Sequence, residues 1–349
     1  MHTKKSIQSL RLLKQGLVKP AESEEEFRQL FRLLQPVTTI YYCRPGDPPS
    51  LVYRSCLESS IYTEKMRGRE DILKGRFSGG KLAYVLFDDF ALYANAFTRE
   101  IEDYTEIQRT ILHAIRTTGP LTPRQLKEET GILNKHLRPA LTRLQQANVL
   151  YEHQIDGDWD RAWSLFEETW PEINLCREQR ITDRSNVIER YFRASVFATM
   201  EQVKSWSEFP TTGIRSIISS LINRDLIFTA DIPGLGPGWI HSAYRETKVP
   251  DIPTTVFMLH RADYLVRSEL SALKKRFGTK DILQYILVNG EFIGAVKGHW
   301  RIGPHDVDDV ILDVSKQNAK KLKTKIINEI SKVYFPPRSN IILYNGEQN

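Results

Sequence analysis

The chain has 349 residues with 49 Lys+Arg against 43 Asp+Glu, a net charge of +6 and a pI near 9.0. That length exceeds one ordinary domain and predicts two or three compact units, while the modest cation excess suits a polyanionic partner without specifying one. Cys43, Cys56 and Cys176 stand far apart with no CxxC pair, which excludes a disulfide framework or a zinc ribbon.

The opening stretch "MHTKKSIQSLRLLKQGLVK" interrupts its apolar residues with charge every few positions, so it is no signal peptide, and no later segment is apolar enough to span a bilayer. A soluble, cytoplasmic protein is expected. Two helices are predicted first: Ile7, Leu10 and Leu13 line one, and Phe27, Leu30, Phe31 and Leu34 line the next. Ser23 caps the second, with Glu26 three residues on and an acidic first turn that suits the helix dipole. "YYCRPGDPPS" reads as a loop. "KGRFSGGK" then reads as a glycine-bearing basic turn before a strand from Leu82 to Phe87 and a segment around Tyr93. It lacks the GxxxxGK[ST] order of a nucleotide-phosphate cradle, so Lys74, Arg76 and Lys81 are candidates for contact with a nucleic-acid backbone.

A repeat occupies the middle of the chain. Leu121–Glu152 aligns without a gap on Ala198–Thr229, so Thr122 meets Thr199, Gln125 meets Gln202, Leu137 meets Ile214, Arg138 meets Arg215 and Leu144 meets Leu221. Each copy reads as three helices followed by a hairpin. Ile111 and Ile115, matched by Ile188 and Phe192, line the first helix; a Thr-capped second helix ends at Gly131 in the first copy; a third buries Leu137, Ala140, Leu141 and Leu144. Pro139 predicts a third helix that starts near His136 or kinks. Strands Val149–Gln154 and Arg161–Leu165 flank "IDGDWD", and "IPGLGPGW" forms the corresponding turn of the second copy.

This is the winged-helix form of the helix-turn-helix, whose third helix usually enters the major groove of DNA. The same fold also serves structural and protein-binding roles, and charge separates the two copies. Arg109–Gln145 holds seven Lys/Arg and two Glu, whereas Asn186–Ile222 holds four and three. Lys135, Arg138 and Arg143, off the apolar stripe of the third helix, are therefore the stronger DNA-contact candidates, with Arg215 in the second copy.

After the Pro-rich "VPDIPTT" comes "VFMLHRADYLVRSELSALKKRF", then strands around Asn289-Gly290, a type I′ hairpin signature. A further strand and a lysine-rich helix with Ala319, Leu322, Ile326, Ile330 and Val333 on one face close the chain. His260 and His299 lack zinc-ligand spacing, so no metal is predicted. Pairing of an arginine with Asp263, and phosphate contact by Arg261, Arg267, His299 and Arg301, is the preferred reading. The expected fold class is α+β: a winged-helix-like domain over 1–104, a basic winged helix over 105–176, its repeat over 177–249 and a β-rich domain with a terminal helix over 250–349.

The tandem winged helices, the "LLQPV" junction and the block "HRADYLVR…LQYILVNGEFIGAVKGHW" together resemble the AlkZ/YcaQ-type winged-helix DNA glycosylases over nearly the whole chain. The resemblance implies double-stranded DNA as partner, no cofactor, and hydrolysis of the N-glycosidic bond of alkylated or crosslinked purines in DNA repair. It places the chemistry on a glutamine followed two residues later by a second polar residue. Here Gln35 matches the first, Val37 replaces the second, and Thr38 is the nearest hydroxyl that can substitute. Bond rupture passes through an oxocarbenium-like sugar and needs a water held opposite the leaving base. A carboxamide both donates and accepts, so it can orient such a water, although it is no general base. A cationic alkylated base leaves without an acid. Tyr41 and Tyr42 are expected in the core, with base stacking as the alternative. The expected protein is a bacterial monomer at the nucleoid, its units around a basic groove; the alternative is a non-catalytic regulator or lesion sensor on the same scaffold.

Overall fold

The computed structural model describes residues 2–38, 51–57, 59–153, 161–249, 251–298, 307–332 and 340–349. They form two compact units, Glu64–Val187 in one and Met1–Thr63 with Ile188–Asn349 in the other. The expected 1–104 domain is thus divided, and its first two helices belong with the C-terminal half of the chain.

Within Glu64–Val187, an antiparallel hairpin pairs Ile72–Phe77 with Lys81–Leu86 and is followed by the helix Phe90–Phe97. The basic "turn" of the sequence is therefore mostly strand, and only Ser78–Gly80 turns. Gly75 sits in that strand because a Cβ there would lie 2.7 Å from the Phe77 ring. Phe77 in turn meets Phe90, Tyr93 and Phe97 edge-on.

The first winged helix follows: helices Glu106–Thr118, Pro123–Thr130 and Asn134–Gln146, then strands Leu150–Glu152 and Trp163–Leu165. Ile111, Ile115, Leu126, Leu137, Leu141, Leu144, Trp163 and Leu165 form one core; burying each such side chain contributes about 1.5–3 kcal/mol. The third helix begins at Asn134, two residues before His136, and continues through Pro139. Pro139 is exposed, and the Lys135 carbonyl left without its helical donor lies at the solvent face, where water can satisfy it.

In the second unit the repeat recurs at the same 77-residue offset: helices Met200–Ser207 and Thr211–Asn223, then strands Ile227–Ile232 and Gly236–His241 joined by Phe197–Ala198 in a three-stranded sheet. The caps agree in detail. Thr122 and Thr199 each accept from the N–H of Gln125 or Gln202 at 3.3 Å, and each threonine N–H donates back to the glutamine Oε1 at 2.9 Å. This reciprocal capping box satisfies two orphan donors per helix. Gly131 (φ 70°) and its counterpart Glu208 (φ 57°) both end the second helix in the left-handed region.

The C-terminal portion carries, among the described residues, a six-stranded sheet in the spatial order Glu347–Gln348, Ile341–Tyr344, Val307–Leu312, Glu291–Lys297, Ile282–Val288, Val256–His260. Asn289 (φ 50°) and Gly290 (φ 82°) make the expected hairpin turn. The helices Tyr264–Phe277 and Lys316–Ser331 pack on the sheet, the latter through Ala319, Ile326 and Ile330; Val333 lies outside the described residues.

The helix Lys4–Lys14 is buried on more than one face. Ile7 and Leu10 join the winged-helix core around Phe197, Ile240 and Tyr244, while Leu12 joins the core under the sheet with Leu259, Leu265 and Leu287. Arg11 spans the polar gap by donating to the Ser195 and Phe197 carbonyls at 3.1 and 3.0 Å.

Candidate catalytic segment and DNA-contact residues

The helix Glu24–Leu34 buries Phe27, Leu30, Phe31 and Leu34, and Ser23 caps it through the Glu26 N–H. Gln35 is the first residue past its end: its N–H still donates to the Phe31 carbonyl at 2.9 Å, but its φ of −64° and ψ of 150° are extended. Helical geometry stops here because proline follows and disfavours the helical region for the residue before it. Gln35 is 1 % exposed, and Pro36 and Val37 are buried beside it.

Two hydrogen bonds tie this segment to the start of the helix Tyr264–Phe277, and a buried ion pair fixes that start in turn. Thr38 Oγ1 donates to the Ala262 carbonyl at 3.0 Å. Arg267 Nη1 donates to the Pro36 carbonyl at 2.9 Å. Asp263, the N-cap of that helix, accepts from the Leu265 N–H at 2.8 Å and from both Nη atoms of Arg54 at 2.5 and 3.1 Å. Arg54 is 0 % exposed and Asp263 2 %, so the ion pair is a buried, bidentate one. Leu34, Pro36, Val37, Arg54, Ala262 and Arg267 border a cavity of about 10 Å³, room for one water at most.

Tyr264 beneath this turn donates to the Tyr191 carbonyl at 3.2 Å, and the Trp206 ring lies 5.7 Å from the Arg267 guanidinium. Burial lowers the Arg267 pKa, but a guanidinium keeps its proton in proteins. Arg267 is thus a buried cation bound to backbone, and its expected role as a phosphate contact is replaced by one inside the fold. Asp263 does pair with an arginine, but with Arg54, a residue that no motif or periodicity singles out. With its proton given to the Ala262 carbonyl, the Thr38 oxygen retains acceptor capacity.

The remaining cations divide by exposure. Lys135, Arg138, Lys81, Arg215 and Arg261 are exposed. Lys74 is 0 % exposed, its Nζ 2.7 Å from Glu152 and donating to the His153 carbonyl at 3.2 Å. Burial pulls its pKa down to about 8 against the opposing pull of Glu152. Lys74 is therefore a core cation and not a phosphate contact. Arg76, half-buried, donates to Gln145 Oε1 at 2.7 Å and to the Gly80 carbonyl at 3.1 Å. Arg143 donates to the Arg99 and Glu100 carbonyls at 2.6 and 2.5 Å, which ties down the strap before the winged helix. Both are spent on structure where backbone contact with DNA was expected. His299, Arg301, Tyr41, Tyr42, Cys43 and the wing tip "IDGDWD" after His153 lie outside the described residues. Among the described residues no cluster of three His, Cys, Asp or Glu is placed to hold a metal, and no helix is long and apolar enough to cross a membrane.

Tandem winged helices with capping boxes in register, one of them carrying exposed cations on its third helix, precede a β-rich C-terminal portion, an arrangement of the helix-turn-helix class. The profile of one family, DNA glycosylase AlkZ-like, matches residues 88–299, more than half of the chain. The chain belongs to that family of DNA glycosylases. The solved structure of Streptomyces sahachiroi DNA glycosylase AlkZ superposes on 98% of this chain and 99% of its own, with a TM-score of 0.69 at 13% identity. No curated protein matches in sequence. The matched stretch covers both winged helices and much of the sheet and begins after Gln35 and Thr38, so these two rest on the residues themselves and on the geometry above.

Proposed function

We propose that this protein hydrolyses the N-glycosidic bond of alkylated or crosslinked purines in double-stranded DNA, with Gln35 orienting the attacking water and Thr38 accepting from it. The observation that carries this reading is the anchored segment: the carboxamide follows a well-packed helix, and Pro36 and Thr38 after it are tied to Arg267 and to the Ala262 carbonyl. Held geometry is what a group without a useful pKa has to offer a reaction whose leaving base is already cationic. Exposed Lys135 and Arg138 supply the backbone attraction that brings the duplex. In this reading the protein acts as a monomer on the bacterial nucleoid and needs no cofactor.

Incubation with a duplex carrying N7-methylguanine, or an N7 crosslink, beside a Gln35→Ala variant tests it. Base release that the variant loses by about 10²-fold or more supports the reading; release undiminished in the variant refutes it. A second reading, a DNA-binding lesion sensor without catalysis, is favoured by one feature. Val37, 3 % exposed, fills the position of the second polar motif residue with hydrocarbon. It predicts no release from any alkylated duplex, together with tight salt-dependent binding.

A further inference from the structure

Among the described residues, the hydrogen-bond acceptor met by the Arg267 side chain is the Pro36 carbonyl. A buried guanidinium is costly, and its usual compensation is a carboxylate in bidentate contact, as Arg54 finds in Asp263. Arg267 instead lies near the Trp206 face and binds the backbone of the residue immediately after Gln35. Its own place is fixed: it sits on the fourth residue of the helix Tyr264–Phe277, whose N-cap Asp263 is pinned by Arg54, and its carbonyl accepts from Ser205 Oγ at 2.7 Å.

We propose that Arg267 is a positioning residue for the Gln35 chemistry, setting the peptide plane after Pro36 and through it the direction from which the carboxamide reaches the water. The inference rests on the catalytic reading of Gln35. Its physical basis is that the Pro36 carbonyl, between the helix end and the isolated β-bridge residue Val37, accepts a charge-assisted hydrogen bond that sets the rotation of the Pro36–Val37 peptide. A lone carboxamide, lacking the second polar residue that Val37 replaces, depends all the more on where its backbone is held. Misplacement by about 1 Å costs on the order of 10²-fold in rate.

The experiment uses the full chain and a duplex with one N7-methylguanine, and reads the single-turnover excision rate and the Kd separately. The proteins are wild type, Arg267→Met, Arg267→Lys, Gln35→Ala and the Gln35→Ala/Arg267→Met double variant. Arg267→Met is expected to slow excision roughly 10–100-fold with Kd within about twofold, and Arg267→Lys, which keeps one donor and the charge, to recover part of the rate. Because Arg267 acts through Gln35, adding Arg267→Met to Gln35→Ala should cost nothing further. Equal slowing in both backgrounds, a loss confined to Kd, or an unaffected rate overturns the proposal. If Arg267→Met does not fold, Arg267→Lys alone and over Gln35→Ala makes the same comparison. A Gln35→Ala defect beside fully active Arg267 variants refutes this inference alone, whereas a fully active Gln35→Ala protein removes the catalytic reading beneath it.

Discussion

Replacing Arg54 by methionine isolates the buried ion pair that organises the candidate site. In the wild-type protein the Asp263 carboxylate, 2 % exposed, accepts two guanidinium N–H bonds and the Leu265 N–H. Arg54→Met leaves it the backbone bond alone, in a place that water scarcely reaches. Removing one partner of a buried pair costs about 3–5 kcal/mol, because the stranded charge is destabilised more than the pair was stabilised. Asp263→Asn in the same protein removes that charge and still offers an oxygen to the Leu265 N–H, so the double variant should regain about half of the loss. Urea unfolding followed by tryptophan fluorescence measures both, since Trp206 packs against Tyr264 next to the pair. An Arg54→Met cost below about 1 kcal/mol, or a double variant less stable than the single one, would refute the account of the pair as a coupled buried unit.

Lys74 makes a pH prediction. Its ordinary value is 10.5 and burial brings it to about 8 in the folded chain, so between those values the unfolded chain holds a proton that the folded one has released, and stability rises with pH. From pH 8 to pH 9.5 the gain amounts to roughly 2 kcal/mol, and the Lys74→Met variant, compared by urea unfolding at both pH values, should lack it. Lys135→Ala and Arg138→Ala should each weaken DNA binding across all sequences and reduce the slope of log Kd against log salt by about 0.9 if each contacts one phosphate; unchanged slopes in a filter-binding titration would remove the first winged helix from the interface. Gly290→Ala should destabilise by about 1–3 kcal/mol, because its φ is +82° and a Cβ would lie 2.8 Å from Gln8 Cβ; a thermal midpoint equal to that of wild type would contradict this.

The helices of both winged units were legible because their signals are local. A threonine with a glutamine three residues on, an apolar stripe at helical spacing and a glycine stop are all within one turn of what they specify. Asn289-Gly290 was legible for the same reason. The fate of the cations was not. Lys74, Arg76 and Arg143 each look like surface residues in sequence, and each is spent on a partner at least 43 positions away. Arg267 reaches across 231 positions to Pro36, and Arg54 across 209 to Asp263. No periodicity encodes such pairs. The division of the N-terminal stretch was hidden likewise, since Ile7, Leu10 and Leu13 read as one apolar stripe, whereas Ile7 and Leu10 serve one core and Leu12, off that stripe, serves another. Gln35 could be named from its motif, but its burial and its anchoring turn could not.

The two winged helices share caps, helix limits and core positions, so whatever differs between them is not required by the fold. Leu137 and Ile214, Leu141 and Ile218, and Leu144 and Leu221 are buried in equivalent places, and the same four hydrogen bonds close the two capping boxes. Charge is what differs. Arg109, Arg116, Arg124, Lys127, Lys135 and Arg138 are all exposed in the first copy, with Arg124 at 3.9 Å from Glu128, whereas in the second the exposed Arg193 is paired with Glu189 at 2.9 Å. Like charges on one small unit repel and lower its stability, a cost the second copy shows to be avoidable on this backbone. A surplus that folding does not need is repaid when a polyanion displaces its counterions onto that surface. In the proposed reading the first copy is therefore the unit that grips DNA, while the second shares its core with the helix Lys4–Lys14 and packs beside the helix whose Arg267 holds the Pro36 carbonyl.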